Sequence, residues 1–381
     1  MTTLPKIENL SDDNARSYFR SQRIAFAGKS ATTPARSLEI RRCAAKPGYD
    51  TSGYAFQEAY REVDAAVIAA CGKVPERLRA VSAGMRQQTV TGDANPIRSS
   101  FIQFRPTERS RWPDAVQTEF ACDLAHSYSD LVPIPSVAGT VNLSDVAPLL
   151  SYVRSAIRSI ERLNTKPLMG WVPVGMPRDA IPKLVESYWA TGVRAIYVDF
   201  GGRIPDQFQL RPIQTALTGQ KPRDESLVYG LNARPGRFIR NSMEIPSKDF
   251  LAHGLGLDVL GGTHLRSFGP QGTMGTVVAA RASNRRRLFL RSTYGYHQVR
   301  SLKQAAELFP RRSPIGLEEL LAAPDSGLER LFNMDQHLTE SRELQTRMAN
   351  LSRNESILGY VAKKRLARAS LGTFRRHPTL M

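Results

Sequence analysis

The sequence predicts an α/β protein, (β/α)8 TIM-barrel-like, with a basic C-terminal helical extension. Three observations lead there. From about residue 119 to residue 264, short apolar runs of strand type alternate with helix-like stretches, the pattern of right-handed βαβ units on a parallel sheet. The chain has 381 residues, enough for a barrel of roughly 250 residues and more besides. Positive charge gathers after residue 281: Arg281–Arg300 and Leu358–Met381 carry 12 basic residues and no acid between them.

The elements follow in order. Residues 1–50 are polar, without a period, and read as an irregular N-terminal arm. Residues 54–72 (YAFQEAYREVDAAVIAACG) space their apolar groups as a helix does. Residues 78–115 carry short apolar runs broken by Gly, Asn and Pro, and suggest strands and loops. Asp130–Val137 reads as a short strand, Asn142–Arg162 as a helix, Pro167–Gly175 as a buried strand and Arg178–Thr191 as a helix. Arg194–Gly202 is a strand ending in two glycines, and Ser226–Gly236 another. Ser247–Gly254 is a short helix, and Leu255–His264 a fifth strand. Residues 326–354 are charged and helix-prone. The expected division is therefore an arm over 1–50, a barrel over 51–280 and a basic segment over 281–381 that closes the barrel.

Composition narrows the function classes. With 41% apolar and 23% charged residues the chain is able to bury a core, so wholesale disorder is excluded. Lys and Arg number 53 against 35 Asp and Glu, a net charge of +18 and a pI near 10.2. Such a field attracts phosphate polyanions. Cys43, Cys71 and Cys122 are distant and odd in number, which argues against a disulfide scaffold or a thiolate zinc site. The six histidines show no metal spacing, so neither metal nor cofactor is expected. Met1–Arg20 lacks the apolar run of a signal peptide, and no stretch is long and apolar enough for a membrane span. A cytoplasmic protein follows as the expectation.

In parallel sheets chemistry sits at the C-terminal ends of the strands. The polar residues assigned to those ends are Asp130, Asp199, Asn232, Asp258 and His264, with Arg266 just beyond. Gly201 and Gly202 would let a flat base lie against backbone. Arg285, Arg286, Arg287 and Arg291, with Lys363, Lys364, Arg365, Arg375 and Arg376, are phosphate candidates. Phe289, Tyr294, Tyr296 and Phe374 among them suggest a groove that tracks a nucleic-acid backbone.

The segments PLMGWVPVGMPRDAIPKLVESYWATGVRAIYVDFGG, AHGLGLDVLGG, STYGYHQVRSLKQAAELFP and the stretch Leu331–Ser370 occur in an order that resembles the tRNA-guanine transglycosylase superfamily. The likeness is to its archaeal type, and the superfamily includes DNA-guanine transglycosylases that place 7-deazaguanines in DNA. It spans about residues 120–375. It implies replacement of guanine in DNA or tRNA by a 7-deazaguanine base, through an aspartate-based glycosyl-enzyme intermediate. Asp130, Asp199 and Asp258 are the candidate catalytic carboxylates. Gly201, Gly202, Asn232, His264 and Arg266 would bind substrate. The reaction needs one carboxylate to attack C1′ and one carboxyl to manage protons on the bases, in different environments. The base must also leave its stack.

Three departures accompany the resemblance. The family's zinc ligands are missing, the region reading LFPRRSPIGLEELL. Val174 stands where a glutamine is expected. Gly261 stands at the nucleophile position, three residues after Asp258. Either the catalytic carboxylate has moved, or the chain is a catalytically silent nucleic-acid-binding barrel or partner subunit. A third alternative is an unrelated barrel enzyme with a phosphorylated small substrate, since fold does not fix function. Homo- and hetero-oligomers both stay open.

Overall fold

A computed structural model describes residues 4–13, 17–89, 95–106, 112–139, 146–163, 166–173, 175–219, 225–238, 242–264, 286–309, 313–323, 326–352 and 355–375. The expected sites Arg266, Arg285 and Arg376, and Val174, lie outside the described residues.

The N-terminal fifty residues are not an irregular arm. They begin with an antiparallel meander, β1 (Lys6–Asp12), β2 (Arg20–Phe26) and β3 (Lys29–Thr32), joined in that order. The chain then runs through β4 (Ala35–Arg36), β5 (Leu38–Glu39) and a one-turn helix α1 (Ile40–Cys43).

The region read as one helix over 54–72 divides in two. Its first half is β6 (Phe56–Asp64) and its second α2 (Ala65–Lys73), with Asp64 accepting from the Val67 N–H at 2.8 Å to cap the helix. Helix α3 (Pro75–Arg86), with proline at its start, leads to β7 (Ile97–Arg105). Helix α4 (Ala115–Ser127) opens on a capping box between Asp114 and Gln117, a device that satisfies two otherwise unpaired N–H groups.

From there the expected alternation holds. β8 (Val132–Pro133) and β9 (Ser136–Val137) precede α5 (Ala147–Glu161). Helix α5 buries Leu149, Tyr152, Val153, Ala156, Ile157 and Ile160, a single stripe at helical spacing. β10 (Leu168–Pro173), α6 (Ile181–Ala190), β11 (Ala195–Asp199), α7 (Gln207–Gly219) and β12 (Leu227–Leu231) follow. β10, β11 and β12 are buried on both faces, as parallel strands between layers must be. β13 (Glu244–Pro246), α8 (Lys248–Leu251) and β14 (Val259–Leu260) complete this part.

The strands make two parallel sheets, β4-β14-β12-β11-β10-β8 and β5-β6-β7-β9. The sheets share their edges. Only Ser37 separates β4 from β5, and its N–H donates to Leu260 O at 3.0 Å. Only Ile134 and Pro135 separate β8 from β9, and the Ile134 N–H donates to Met169 O at 2.9 Å. Segments 35–39 and 132–137 thus pair with one sheet on one side and the other sheet on the other.

The C-terminal part adds a second antiparallel sheet, β13-β16-β15, built with β15 (Arg286–Leu290) and β16 (Gly295–Val299). Helices α9 (Leu302–Leu308), α10 (Leu317–Ala322), α11 (Gly327–Ala349), α12 (Ile357–Ala362) and α13 (Leu371–Phe374) follow. A second apolar core forms here, in which Leu288, Phe309, Ile315, Leu331 and Phe332 join Leu38 and Tyr54 from the N-terminal half. Among the described residues no helix is long and apolar enough to cross a membrane.

Candidate functional site

Side chains converge where the parallel strands end. β5 ends on Glu39 and β11 on Asp199, while Asn232 follows β12 and the Gly261–His264 turn follows β14. Glu58 and Tyr60 from β6 and Gln103 from β7 join them.

Hydrogen bonds tie this set into one network. The Asp199 carboxylate accepts from Asn232 Nδ2 at 2.8 Å, from the Gly201 N–H at 2.9 Å and from Gln103 Nε2 at 3.4 Å. Asn232 turns back to accept the His264 N–H at 2.7 Å. It does so with φ 57°, a left-handed conformation that asparagine tolerates better than most residues. The His264 ring lies 2.9 Å from Glu58 Oε1 through Nε2 and 2.8 Å from Arg41 through Nδ1. The ring also stacks on Tyr60, centroids 4.6 Å apart and planes within 4°. Glu58 accepts further from the Tyr229 hydroxyl and the Gly262 N–H.

The buried carboxyls have different surroundings. Burial raises the pKa of Asp199, opposed by the bonds from Asn232 and Gly201 and by His264. Burial also pushes Glu39 up, but His264, Arg42, Arg36 and Arg41 outweigh it and hold Glu39 at about 2. Arg36, Arg41 and Arg42 stand 3.7, 3.5 and 3.0 Å from its oxygens.

Gly261 and Gly262 are set by close approach. A Cβ on residue 261 would stand 2.6 Å from the Tyr229 ring, 2.7 Å from Gly230 O and 2.8 Å from Glu58 Oε2. A Cβ on residue 262 would run into the carboxylates of Glu39 and Glu58. The space an aspartate at 261 would need is filled by Glu58, a carboxylate from another strand.

Two expected catalytic residues are elsewhere. Asp130 precedes β8, where it pairs with Lys29 at 2.5 Å and accepts the Arg98 N–H at 3.0 Å. Asp258 precedes β14, where Arg20 grips both its oxygens at 2.7 and 2.5 Å and the Val228 N–H donates at 2.6 Å. Both stand at the N-terminal ends of the strands, opposite the network, and both are committed to structural partners. Of the three aspartates only Asp199 belongs to the converging set.

The basic candidates also separate. Arg291 and Lys364 share Glu340, at 3.0 and 3.2 Å. Burial lowers Lys364, against the pull of Glu340. Arg365 is paired with Glu244, and Arg286 donates to Ala323 O. Lys363, Arg287 and Arg375 are exposed. Phe289, Tyr294, Tyr296 and Phe374 are core residues, none more than 5% exposed, so they offer no stacking platform.

Two cavities adjoin the network. One of about 120 Å³ is walled by Gln103, Trp171, Asp199, Gly201 and Arg203. That is below the roughly 300–1,000 Å³ of a drug-sized pocket and suits a small flat group. The other, about 540 Å³, lies between the strand ends and α11. Glu39, Glu58 and His264 also bring one donor atom each within 4.8 Å of one another, a set that could ligate a metal. Three guanidiniums already neutralise Glu39, and a divalent ion would enter against them; the set works as an ion-pair network.

Glu39, Glu58, Tyr60 and Gln103 were not among the residues expected from sequence. For β6 the available signal was alternation: Phe56, Glu58 and Tyr60 are two apart, hence on one face of a strand.

No family model and no curated protein matches the chain. Among solved structures it is similar to DHODH from Eimeria tenella, at 10% identity and a TM-score of 0.33, over 50% of this chain and 58% of that one. It is also similar to the endoglucanase Cel6 from Mycobacterium tuberculosis, at 12% identity and a TM-score of 0.32, over 48% of this chain and 65% of that one. The match spans less than two thirds of either protein.

Proposed function

We propose that this protein is a transglycosylase-like enzyme that exchanges guanine in DNA or tRNA for a 7-deazaguanine. The two parallel sheets, sharing segments 35–39 and 132–137, are read as one (β/α)8 barrel whose C-terminal rim holds the site. The observation that carries the reading is Asp199. It is a buried carboxyl of raised pKa on the wall of a small cavity, linked through Asn232 and His264 to the second carboxylate Glu58.

Two carboxyls in unlike surroundings are what base exchange requires. Glu58 attacks C1′ as the glycosidic bond breaks, and the departing guanine takes the bonding pair and a proton. Asp199 delivers that proton. The incoming base then attacks C1′, releases Glu58 and returns a proton to Asp199. His264, stacked on Tyr60, fixes the Glu58 carboxylate, and Gly201 lets the base approach the backbone.

A second reading has its own support. Glu58 is buried and already accepts from Tyr229, Gly262 and His264, as a structural acid in a catalytically silent nucleic-acid-binding barrel would. The test is incorporation of radiolabelled guanine into tRNA and, separately, duplex DNA. Label incorporated by the native protein and lost in both Asp199→Asn and Glu58→Gln supports exchange. No label in either polymer, with salt-sensitive binding retained, replaces it with the silent barrel.

A further inference from the structure

The larger cavity is ringed by cations. Arg36, Arg234, Arg237, Arg287 and Arg330 line its wall, against the carboxyls of Glu39, Asp249 and Glu329. Five guanidiniums thus face three acids. Glu39 is shared by Arg36, Arg41 and Arg42. Asp249 accepts the Tyr296 hydroxyl at 2.7 Å, and burial raises it to about 6.

The arginines, in contrast, have unused donors. Among the described residues the side chains of Arg234, Arg237 and Arg330 make no hydrogen bond and no ion pair. Arg36 is 8% exposed, and its Nε has no acceptor although NH1 donates to Leu260 O at 2.6 Å. Burial and the neighbouring charges of Arg42 and Arg41 lower Arg330, while Glu39 and Glu329 oppose them. Crowded like charges with open N–H forks mark a place that an anion would complete.

We infer that the cavity between the strand ends and α11 binds a phosphate group, gripped by Arg36, Arg237 and Arg330 with Arg234 and Arg287 at its margin. Guanidinium forks match phosphate oxygens two at a time. A volume of about 540 Å³ takes a nucleotide-sized ligand with room to spare. The phosphate would come from a nucleic-acid strand or from a free phosphate monoester. The inference is independent of base exchange, because the cavity would hold phosphate whether or not Asp199 performs chemistry.

The full-length protein is titrated into a fluorescein-labelled single-stranded deoxyoligonucleotide and followed by anisotropy, with guanosine 5′-monophosphate titrated separately by calorimetry. Arg237→Gln/Arg330→Gln is compared with Arg154→Gln/Arg158→Gln, which removes the same charge from the exposed side of α5. None of the four is a core side chain, and thermal melts verify that both variants fold. The cavity pair is expected to weaken binding about tenfold or more and the α5 pair less than about twofold. For the oligonucleotide the slope against salt should also fall by about 0.7, from the loss of one phosphate contact. Monophosphate binding that depends on the cavity pair, without oligonucleotide binding, supports the inference with a free monoester as the source. Equal weakening by both pairs, no weakening by the cavity pair, or binding of neither probe overturns it. Failed base exchange with cavity-dependent phosphate binding intact removes the function proposed above and leaves this site standing.

Discussion

Replacing Asp258 by asparagine is expected to weaken the fold and spare the site. The carboxylate accepts from Arg20 Nε and NH2 and from the Val228 N–H, with both side chains of the pair 1% exposed. Asparagine keeps the shape and removes the charge, leaving the Arg20 guanidinium buried without its counter-ion. Breaking one side of such a pair costs about 3–5 kcal/mol, a large part of a total stability of roughly 5–15 kcal/mol. At roughly 1.3 °C per kcal/mol for a chain of this size, the melting temperature should fall by about 4–6 °C. Far-UV circular dichroism during thermal and urea unfolding measures this, with oligonucleotide binding measured well below the transition. The double replacement Arg20→Met/Asp258→Leu should recover most of the loss, since it removes both buried charges together. An Asp258→Asn protein that melts like the native one but no longer exchanges bases would refute the reasoning and restore Asp258 as a catalytic group.

Three further outcomes are expected. Asp130→Asn, whose partners Lys29 and Arg98 lie at the far end of the strands, should leave guanine incorporation within about threefold of native, whereas Asp199→Asn should lower it by about a hundredfold or more. Gly262→Ala should destabilise by about 1–3 kcal/mol, seen as a lower urea midpoint, because its methyl group displaces the Glu39 and Glu58 carboxylates. Asp249 has a folded pKa raised by burial to about 6 from an ordinary 3.8, so the folded state holds its proton longer. Its contribution is fully present below about pH 4 and lost as pH rises through 6, about 3 kcal/mol across that window. Asp249→Asn should abolish this fall in the difference between the native and variant stability curves, while His253, lowered to about 4 by burial, acts oppositely in both proteins.

The middle of the chain was readable because its signals are local. The strands β10, β11 and β12 are continuous apolar runs bounded by Gly and Pro, and the helices between them carry one apolar stripe. β6 was not readable in that way. Tyr54, Phe56, Ala59, Tyr60 and Val63 fit a helical spacing as well as a strand buried on both faces, and only long-range pairing with β7 decides between them. A helical spacing hides Glu58 and Tyr60, which the strand places on one face. Asp130 and Asp258 fall at the opposite ends of their strands from those expected, because β8 and β14 begin only at Val132 and Val259, just after them. Nothing local announces that Arg20 will meet Asp258 across 238 positions. Asp199, Asn232 and His264 are legible because each lies at or shortly beyond the C-terminal end of a strand.

The shared segment 35–39 also carries a consequence for the order in which the protein is made. Its partners on one side, Val259 and Leu260, leave the ribosome some 220 residues later, 259 less 39. At roughly 5–20 residues per second that is an interval of about 11–44 s. Throughout it Ala35 and Arg36 have backbone groups exposed and no strand to meet, while β6 is available early to Leu38 and Glu39. A nascent chain of this protein therefore passes through a period with one open strand edge near its beginning, the kind of surface that invites pairing with another chain.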